Sequence, residues 1–352
     1  MPILVNPEFS RLPQDIAGLF AGAGEASFFS HPAWYAVFSG HALETGGESR
    51  LYTDAASGAG LLLQLAGSAR RLRSLANYYS CEHAVLSRPG VDVAAALAEI
   101  VSNILAERPR WDAVSLVGLD PTAHDFPALI AGFRRVGTVV RPYFDFGVWY
   151  QTTAGLSFAD YCDGLPSQLL NTWKRKRKKL LGSPRLRLTY CDGEAGLDAA
   201  IAAYETVYRA SWKDPEPHPG FMPALMRTCA ALGALRLAIY HLDGVPAAAQ
   251  FWIVWRDRAT IFKLAHDERF AEHSLGTRLT MELMERVLEN DRPTEIDFGQ
   301  GDDTYKKLWL PQRRERWGML AANPRTPGGL ALSVREISAQ LYRRFHLAPD
   351  RG

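Results

Sequence analysis

The sequence predicts an α/β protein built on mixed sheets and divided into two domains, and three features predict it. Residues 235–309 run as strand, turn, strand, turn, strand, helix, strand and polar loop, so that three antiparallel strands feed one helix. The first half of the chain has its own alternation of short apolar strands and helices. At 352 residues the chain is longer than a single hydrophobic core usually serves.

In the first half, Gly60 to Ala66 and Ala113 to Val117 read as strands, and Val91 to Glu107 and Thr122 to Val136 as helices. The Gly-Ala stretches at 21–24 and 55–60 read as loops and carry no phosphate-binding fingerprint. Asn77 to His83 is a polar-aromatic stretch. It reads as a surface loop, with a place facing a cleft and holding an acceptor as the sharper alternative. Phe144 to Tyr150 reads as a strand, followed by the polar Gln151-Thr152-Thr153. This gives expected domains at 1–155 and 156–325, with a C-terminal helix and tail at 326–352. Residues 327–347 are amphipathic and fit a helix packed on the body or on a second subunit, which leaves a homodimer open.

Pro166 to Lys179 reads as a helix whose buried stripe is Leu169, Trp173 and Leu180. Lys174 to Lys179 is an unbroken basic run, too long to face one ligand. It is a solvated helix end, or an anion patch for a nucleotide cofactor or RNA. Residues 1–160 carry 11 Lys/Arg against 15 Asp/Glu, a balance of −4, and the rest carries 29 against 23, or +6. Any attraction for an anionic partner therefore belongs to the second half.

The core segment is explicit. Leu235 to Leu242 alternates and is rich in β-formers, and Asp243-Gly244 after it is a strong signal for a two-residue hairpin turn. Pro246 falls at a strand start, where its missing N–H does least harm. Ala247 to Trp255 is apolar except for Gln250, which indicates burial on both faces. Arg256 to Arg258 turns the chain into a third strand, Ala259 to Asp267. Lys263 and His266, three positions apart in it, point to opposite faces. Each has a plain reading, Lys263 as an edge residue reaching solvent and His266 as a satisfied structural histidine, beside a place in a site.

A helix follows over Arg278 to Glu289, entered through Ser274, Leu275, Gly276 and Thr277. Such an entrance offers free backbone N–H groups and the positive end of the helix dipole, suited to a pyrophosphate; it is also a plain N-cap. The strand Thr294 to Phe298 leads into Gly299-Gln300-Gly301-Asp302-Asp303. Asp297 within it is costly to bury unless paired or used, and the two glycines permit close approach of a ligand. An acidic turn before an amphipathic helix is the alternative.

Composition narrows the class. With 47% hydrophobic and 22% charged residues the chain is globular, not fibrous or disordered. No apolar run approaches the about 20 residues of a membrane span, and no secretory signal is evident at Met1-Pro2-Ile3. Cys81, Cys162, Cys191 and Cys229 are far apart and form no CxxC, so a metal site is not expected and a cytoplasmic setting is.

Asp297-Phe298-Gly299-Gln300-Gly301-Asp302, with Tyr305, Lys306 and Trp309 after it, resembles the C-terminal signature of the CelD-like and FemAB-related acyltransferases of the GNAT superfamily. The basic helix 166–179, Ser211-Trp212-Lys213 and Lys263 to Asp267 resemble further motifs of that family, over about residues 160–315; an aromatic residue often stands there in place of His266. The resemblance implies tandem GNAT-like domains, the first a degenerate copy, and an N-acyltransferase using acyl-CoA (acetyl-CoA or longer) on a small-molecule amine or amino sugar. It implies direct attack of the amine on the thioester. Asp297 or His266 would take the proton, Tyr305 would protonate the thiolate, and Lys263 would steady developing negative charge. A backbone N–H near Leu264 to His266 would serve the oxyanion, and Ser274, Leu275, Gly276, Thr277 and Lys306 would hold the donor. An acyl carrier protein or a charged tRNA is the alternative donor, the latter served by the 174–187 basic stretch. A non-catalytic partner in polysaccharide assembly is the third class.

Overall fold

A computed structural model describes residues 3–54, 58–65, 70–180 and 185–346, with side chains left out at 54, 177–180 and 340–346. The residues cluster into two compact units, one of Met1–Phe146 with Glu315–Gly352 and one of Gly147–Arg314. These limits fall earlier in the chain than 155 and 325. The reason is the strand Gln312–Ala322, whose residues Trp317 to Ala322 pair antiparallel with Ala113 to Leu119 and so return the chain to the first unit.

The first unit holds β1 (Ile3–Val5), α1 (Gln14–Ala17), α2 (Phe20–Ala26), α3 (Pro32–His41), β2 (Glu48–Asp54), β3 (Ala59–Leu65), β4 (Arg71–Ser74), β5 (Leu86–Ser87), α4 (Val93–Ala106), β6 (Ala113–Leu119) and α5 (Asp125–Arg135). Its strands lie in the order β1-β2-β3-β4-β6, with β4 and β6 parallel. Asp92 caps α4 by accepting the N–H groups of Ala94 and Ala95 at 3.1 Å. The buried side of α4, with Leu97, Ile100, Val101 and Ile104, packs in one core with Leu61, Leu63, Val114 and Leu116. Two expectations fail here. Residues 21–24 are helical, and Gly24 lets the helix approach within 3.4 Å of the His31 Cα for an added Cβ. Of the expected surface loop 77–83, Tyr79, Ser80, Cys81 and His83 are buried.

The strand β7 (Val139–Thr152) leads into the second unit: α6 (Phe158–Gly164), α7 (Ser167–Leu180), β8 (Leu186–Cys191), α8 (Leu197–Arg209), α9 (Phe221–Ala231), β9 (Leu235–Leu242), β10 (Val245–Trp255), β11 (Arg258–His266), α10 (Leu275–Arg286) and β12 (Glu295–Asp297). After them come β13 (Gln312–Ala322) and α11 (Pro327–His346), with which the chain's described residues end. Strand order in the second unit is β12-β11-β10-β9-β8. The β9–β10 turn has Asp243 at φ 52° and Gly244 at φ 81°, the two positive values that an Asp-Gly hairpin turn demands. From Ala247 to Val254, β10 is buried throughout, as a strand covered on both faces must be.

Gln250 is fully buried, and its amide explains its place in an apolar strand. Its Nε2 donates to the Gly276 carbonyl at 3.1 Å and to Thr280 Oγ1 at 2.6 Å, and its Oε1 accepts from Trp252 Nε1 at 2.9 Å. The amide thus ties the first turn of α10 to the middle of the sheet. Gln250→Leu, close in size, should lower stability by about 1–3 kcal/mol, because the Trp252 N–H is left buried and unpaired. Urea unfolding measures this, and an unchanged midpoint would show that the tie is dispensable.

Candidate functional site

The site begins where two strands part. β11 pairs in parallel with β12 only over Arg258, Ala259 and Thr260, opposite Glu295, Ile296 and Asp297. β10 stays paired with β11 through His266. From Ile261 onward, β11 therefore has no β12 neighbour, and the edge facing the gap carries backbone groups without a ladder partner on that side. A cavity of about 380 Å³ opens beside it. β11 contributes Leu264 and His266; the start of α10 contributes Leu275, Gly276, Thr277 and Thr280; Phe298, Tyr305 and Trp309 come from the following loop, and Trp212 from the loop after α8.

Ser274, at φ 52°, joins a short 3-10 turn (Glu268–His273) to α10 and gives it no side-chain cap. No side chain thus competes for the first amides of this 12-residue helix, and they meet the cavity with the positive end of its dipole. His266 lies against this turn: a Cβ on Gly276 would stand 3.4 Å from its Nδ1. Its ring centroid is 4.5 Å from that of Trp212. Burial lowers its pKa below the ordinary 6.5, partly offset by Glu268 and Asp267, so the imidazole is neutral at pH 7. Across the cavity, desolvation and the Asp303 charge push the Tyr305 phenol up to about 12, which keeps its proton on oxygen.

The remaining predicted residues sit elsewhere. Asp297 is fully buried and absent from the cavity wall. Its Oδ2 accepts from Arg258 Nε at 2.7 Å and Arg314 Nη2 at 3.3 Å, and its Oδ1 accepts from the Gly299 N–H at 2.7 Å. Glu295 shares both arginines, at 3.3 Å from Arg258 and 2.6 Å from Arg314. Lys306, 6% exposed, donates from Nζ to the carbonyls of Gln300 at 2.8 Å and Gly301 at 3.3 Å. Its charge closes the glycine loop, in which Gly301 has φ 116°, instead of facing a donor. Lys263 pairs with Glu216 at 2.8 Å and stands 5.9 Å over the Tyr208 ring. His266, Tyr305 and the 274–277 turn are thus brought together, whereas Asp297, Lys306 and Lys263 are held in other contacts. Residues 303–309 form a 3-10 turn at Lys306–Leu308, not an amphipathic helix.

Two participants escaped the sequence reading. Gln250 stood out only as a break in an apolar strand, although a buried amide in such a strand needs polar partners and so signals a tie. Trp212 was legible as part of a motif, but nothing local placed it against His266. In the basic helix, Trp173 is buried, Lys174 and Arg175 are exposed, and Lys176 Nζ reaches the Glu272 carbonyl; residues 177–180 lie outside the described side chains. Arg185, expected to join the anion patch, makes an exposed pair with Asp243 at 2.5 Å. Among the described residues no cluster of His, Cys, Asp or Glu could hold a metal, and no helix is long and apolar enough to cross a membrane.

Residues 167–307 match the family model of an acetyltransferase (GNAT) domain. No curated protein sequence matches the chain. Among solved structures it is similar to FemX, with a TM-score of 0.59 at 8% identity, covering 90% of this chain and 97% of that one. It is similar to the C-terminal domain of a candidate lysylphosphatidylglycerol synthetase from Agrobacterium fabrum, with a TM-score of 0.55 at 10% identity, covering 94% and 97%. A tandem GNAT protein from the clavulanic acid biosynthesis pathway gives a TM-score of 0.50 at 13% identity, covering 92% and 99%. Residues 167–307 thus match the model of a GNAT domain, and the chain shares its mixed α/β fold with FemX and with the tandem GNAT protein.

Asp297→Asn should cost about 1–3 kcal/mol in urea unfolding, because two part-buried guanidinium groups lose one of the two carboxylates that balance them and keep only Glu295. A variant of full stability and no turnover would instead make Asp297 a reacting group.

Proposed function

We propose that this chain is an N-acyltransferase that moves an acyl group from acyl-CoA to the amine of a small molecule or amino sugar. The observation that carries the reading is the uncapped start of α10, opening on a cavity that also holds a neutral histidine and a protonated tyrosine. The amides of Leu275, Gly276 and Thr277 would receive the donor's pyrophosphate, with no lysine required. The thioester carbonyl would then lie by the free edge of β11, where a backbone N–H near Leu264 to His266 can accept developing charge on oxygen.

The steps balance without a covalent enzyme intermediate. The amine nitrogen attacks the carbonyl carbon, and His266 takes the proton that the nitrogen loses. The carbon–sulfur bond breaks, and Tyr305 gives its proton to the departing thiolate; the proton on His266 then restores Tyr305 through solvent. Asp297 fixes the strand and loop that carry these groups. A phosphopantetheine arm on an acyl carrier protein would present the same thioester. A charged tRNA remains the second reading, supported by the exposed Lys174 and Arg175 of α7, and it would bind with a steep dependence on salt.

Thermal melting with acetyl-CoA, a long-chain acyl-CoA, free coenzyme A and no ligand tests the donor. The midpoint should rise with a coenzyme A species, by an amount set by concentration over dissociation constant. Gly276→Glu, which places a carboxylate where the pyrophosphate would lie, should abolish the rise while the far-UV spectrum stays native. No shift with any coenzyme A species would sink this reading and leave a charged tRNA or an acyl carrier protein as the donor to try.

His266→Ala should keep the shift and lower turnover about 100-fold or more. In the parent the base works in its neutral form. Because its pKa is depressed, the acidic arm of the rate profile should fall below pH 6.5, the ordinary histidine value. An acidic arm above pH 6.5, or one that persists in His266→Ala, would assign the base to another group.

A further inference from the structure

A second cavity of about 360 Å³ lies in the same unit, between α8 and the loop that precedes α9. Tyr204, Tyr208, Pro215 and Met222 form its apolar walls, and Lys213 and Glu216 supply charge. The Glu216 carboxylate is taken by Lys263 at 2.8 Å. Lys213 makes no ion pair among the described residues; its Nζ stands 5.9 Å from the Tyr208 ring centroid and 5.7 Å from that of Trp212. Tyr204 is 2% exposed, and its hydroxyl, closed off from solvent, has no hydrogen-bond partner among the described residues.

These features ask for the same thing. An ammonium without an ion pair, set in aromatic walls, fits an anionic oxygen group attached to an apolar body. The charges at the cavity balance to one: Lys263 offsets Glu216, and Arg209 offsets Glu205, leaving Lys213. That suits a singly charged carboxylate better than a phosphate dianion. The position matters as much as the charge. Lys213 follows Trp212, the residue whose ring touches His266 at the first cavity.

We infer that this cavity holds the carboxylate end of the amine acceptor, an amino-carboxylate whose apolar spacer passes Trp212 and brings its nitrogen to His266. The inference rests on the acyltransferase reading and names the acceptor class for it. The carboxylate accepts from Lys213 Nζ, while the spacer lies against Tyr208 and Met222.

Calorimetric titration of the full chain, without donor, separates the possibilities. Hexanoate and 6-aminohexanoate should bind, and hexylamine, which lacks the carboxylate, should bind at least about tenfold more weakly. Lys213→Met should weaken hexanoate about tenfold or more, whereas Lys213→Arg should keep most of the affinity. A merely structural lysine would not produce one further result. Burial, with Lys263 and Lys306 nearby and Glu216 and Asp303 partly offsetting them, pushes the Lys213 ammonium down to about 8. Hexanoate affinity should therefore fall as pH rises beyond that value, and Lys213→Arg should remove the fall.

Equal binding of hexanoate to the parent and Lys213→Met, or no carboxylate binding at millimolar concentration, overturns the inference. Failure of the donor reading is distinguishable. In that case hexanoate binds through Lys213 but no coenzyme A species shifts the melt, and the cavity is a carboxylate site of some other reaction. A coenzyme A shift without hexanoate binding sinks the acceptor inference alone.

Discussion

The second unit is organised around one buried negative charge. Asp297 has no exposed surface, and a carboxylate in that position is tolerable only because Arg258 and Arg314 meet it from two strands and the Gly299 amide meets it from the loop. Arg258 begins β11, and Arg314 lies in β13. The carboxylate therefore fastens β11 and β12 together at one end. Among the described residues, β11 and β12 pair no further along than Thr260 and Asp297. Asp297 is the last residue of β12, and the chain turns away at Gly299, so the two strands separate where the ion pairs end. The gap and its free backbone edge follow from where the charge was put.

The other wall of the gap is set by a neutral interaction. Gln250 fixes the first turn of α10 through the Gly276 carbonyl, and His266 packs against the same turn. A glycine at 276 lets the imidazole stand that close. The helix start, the histidine and the sheet are thus mutually positioned by one amide and one missing side chain, neither of which would take part in bond-making. Rigid placement of this sort is what a reaction that depends on aligning two substrates requires.

Hairpin turns, strand order and the α10 entrance were legible in the sequence because each is written locally: in Asp243-Gly244, in period-two apolar patterning, in Ser274 to Thr277 before a helical repeat. The roles of charged residues were less so. Asp297, Lys306 and Lys263 each looked site-like, since a charge inside apolar sequence demands a reason. The reason lies in partners that local pattern does not show: Arg314, 17 residues beyond Asp297, the carbonyls of Gln300 and Gly301 for Lys306, and Glu216, 47 residues before Lys263. Only the tertiary fold says whether a buried charge is already answered. His266 and Tyr305 were placed by their position in the order of elements, which is why they meet.

The distribution of answered charges bears on what the first cavity can bind. Lys306 is held by loop carbonyls, Lys263 by Glu216, Arg258 and Arg314 by Asp297 and Glu295, and Arg269 by Asp267 at 2.6 Å. An anion entering beside α10 would therefore be received mainly by backbone amides and a helix dipole. Such a site is short-ranged: its field falls off within about one turn, and it selects by the fit of oxygens to N–H groups more than by total charge. A compact pyrophosphate satisfies that condition in one place. A polynucleotide, whose affinity grows with the number of cations it meets along a groove, would meet Lys174 and Arg175 of α7 instead. The two classes of anion would thus call on different surfaces of the same unit, and the amides beside the neutral histidine would suit the smaller one.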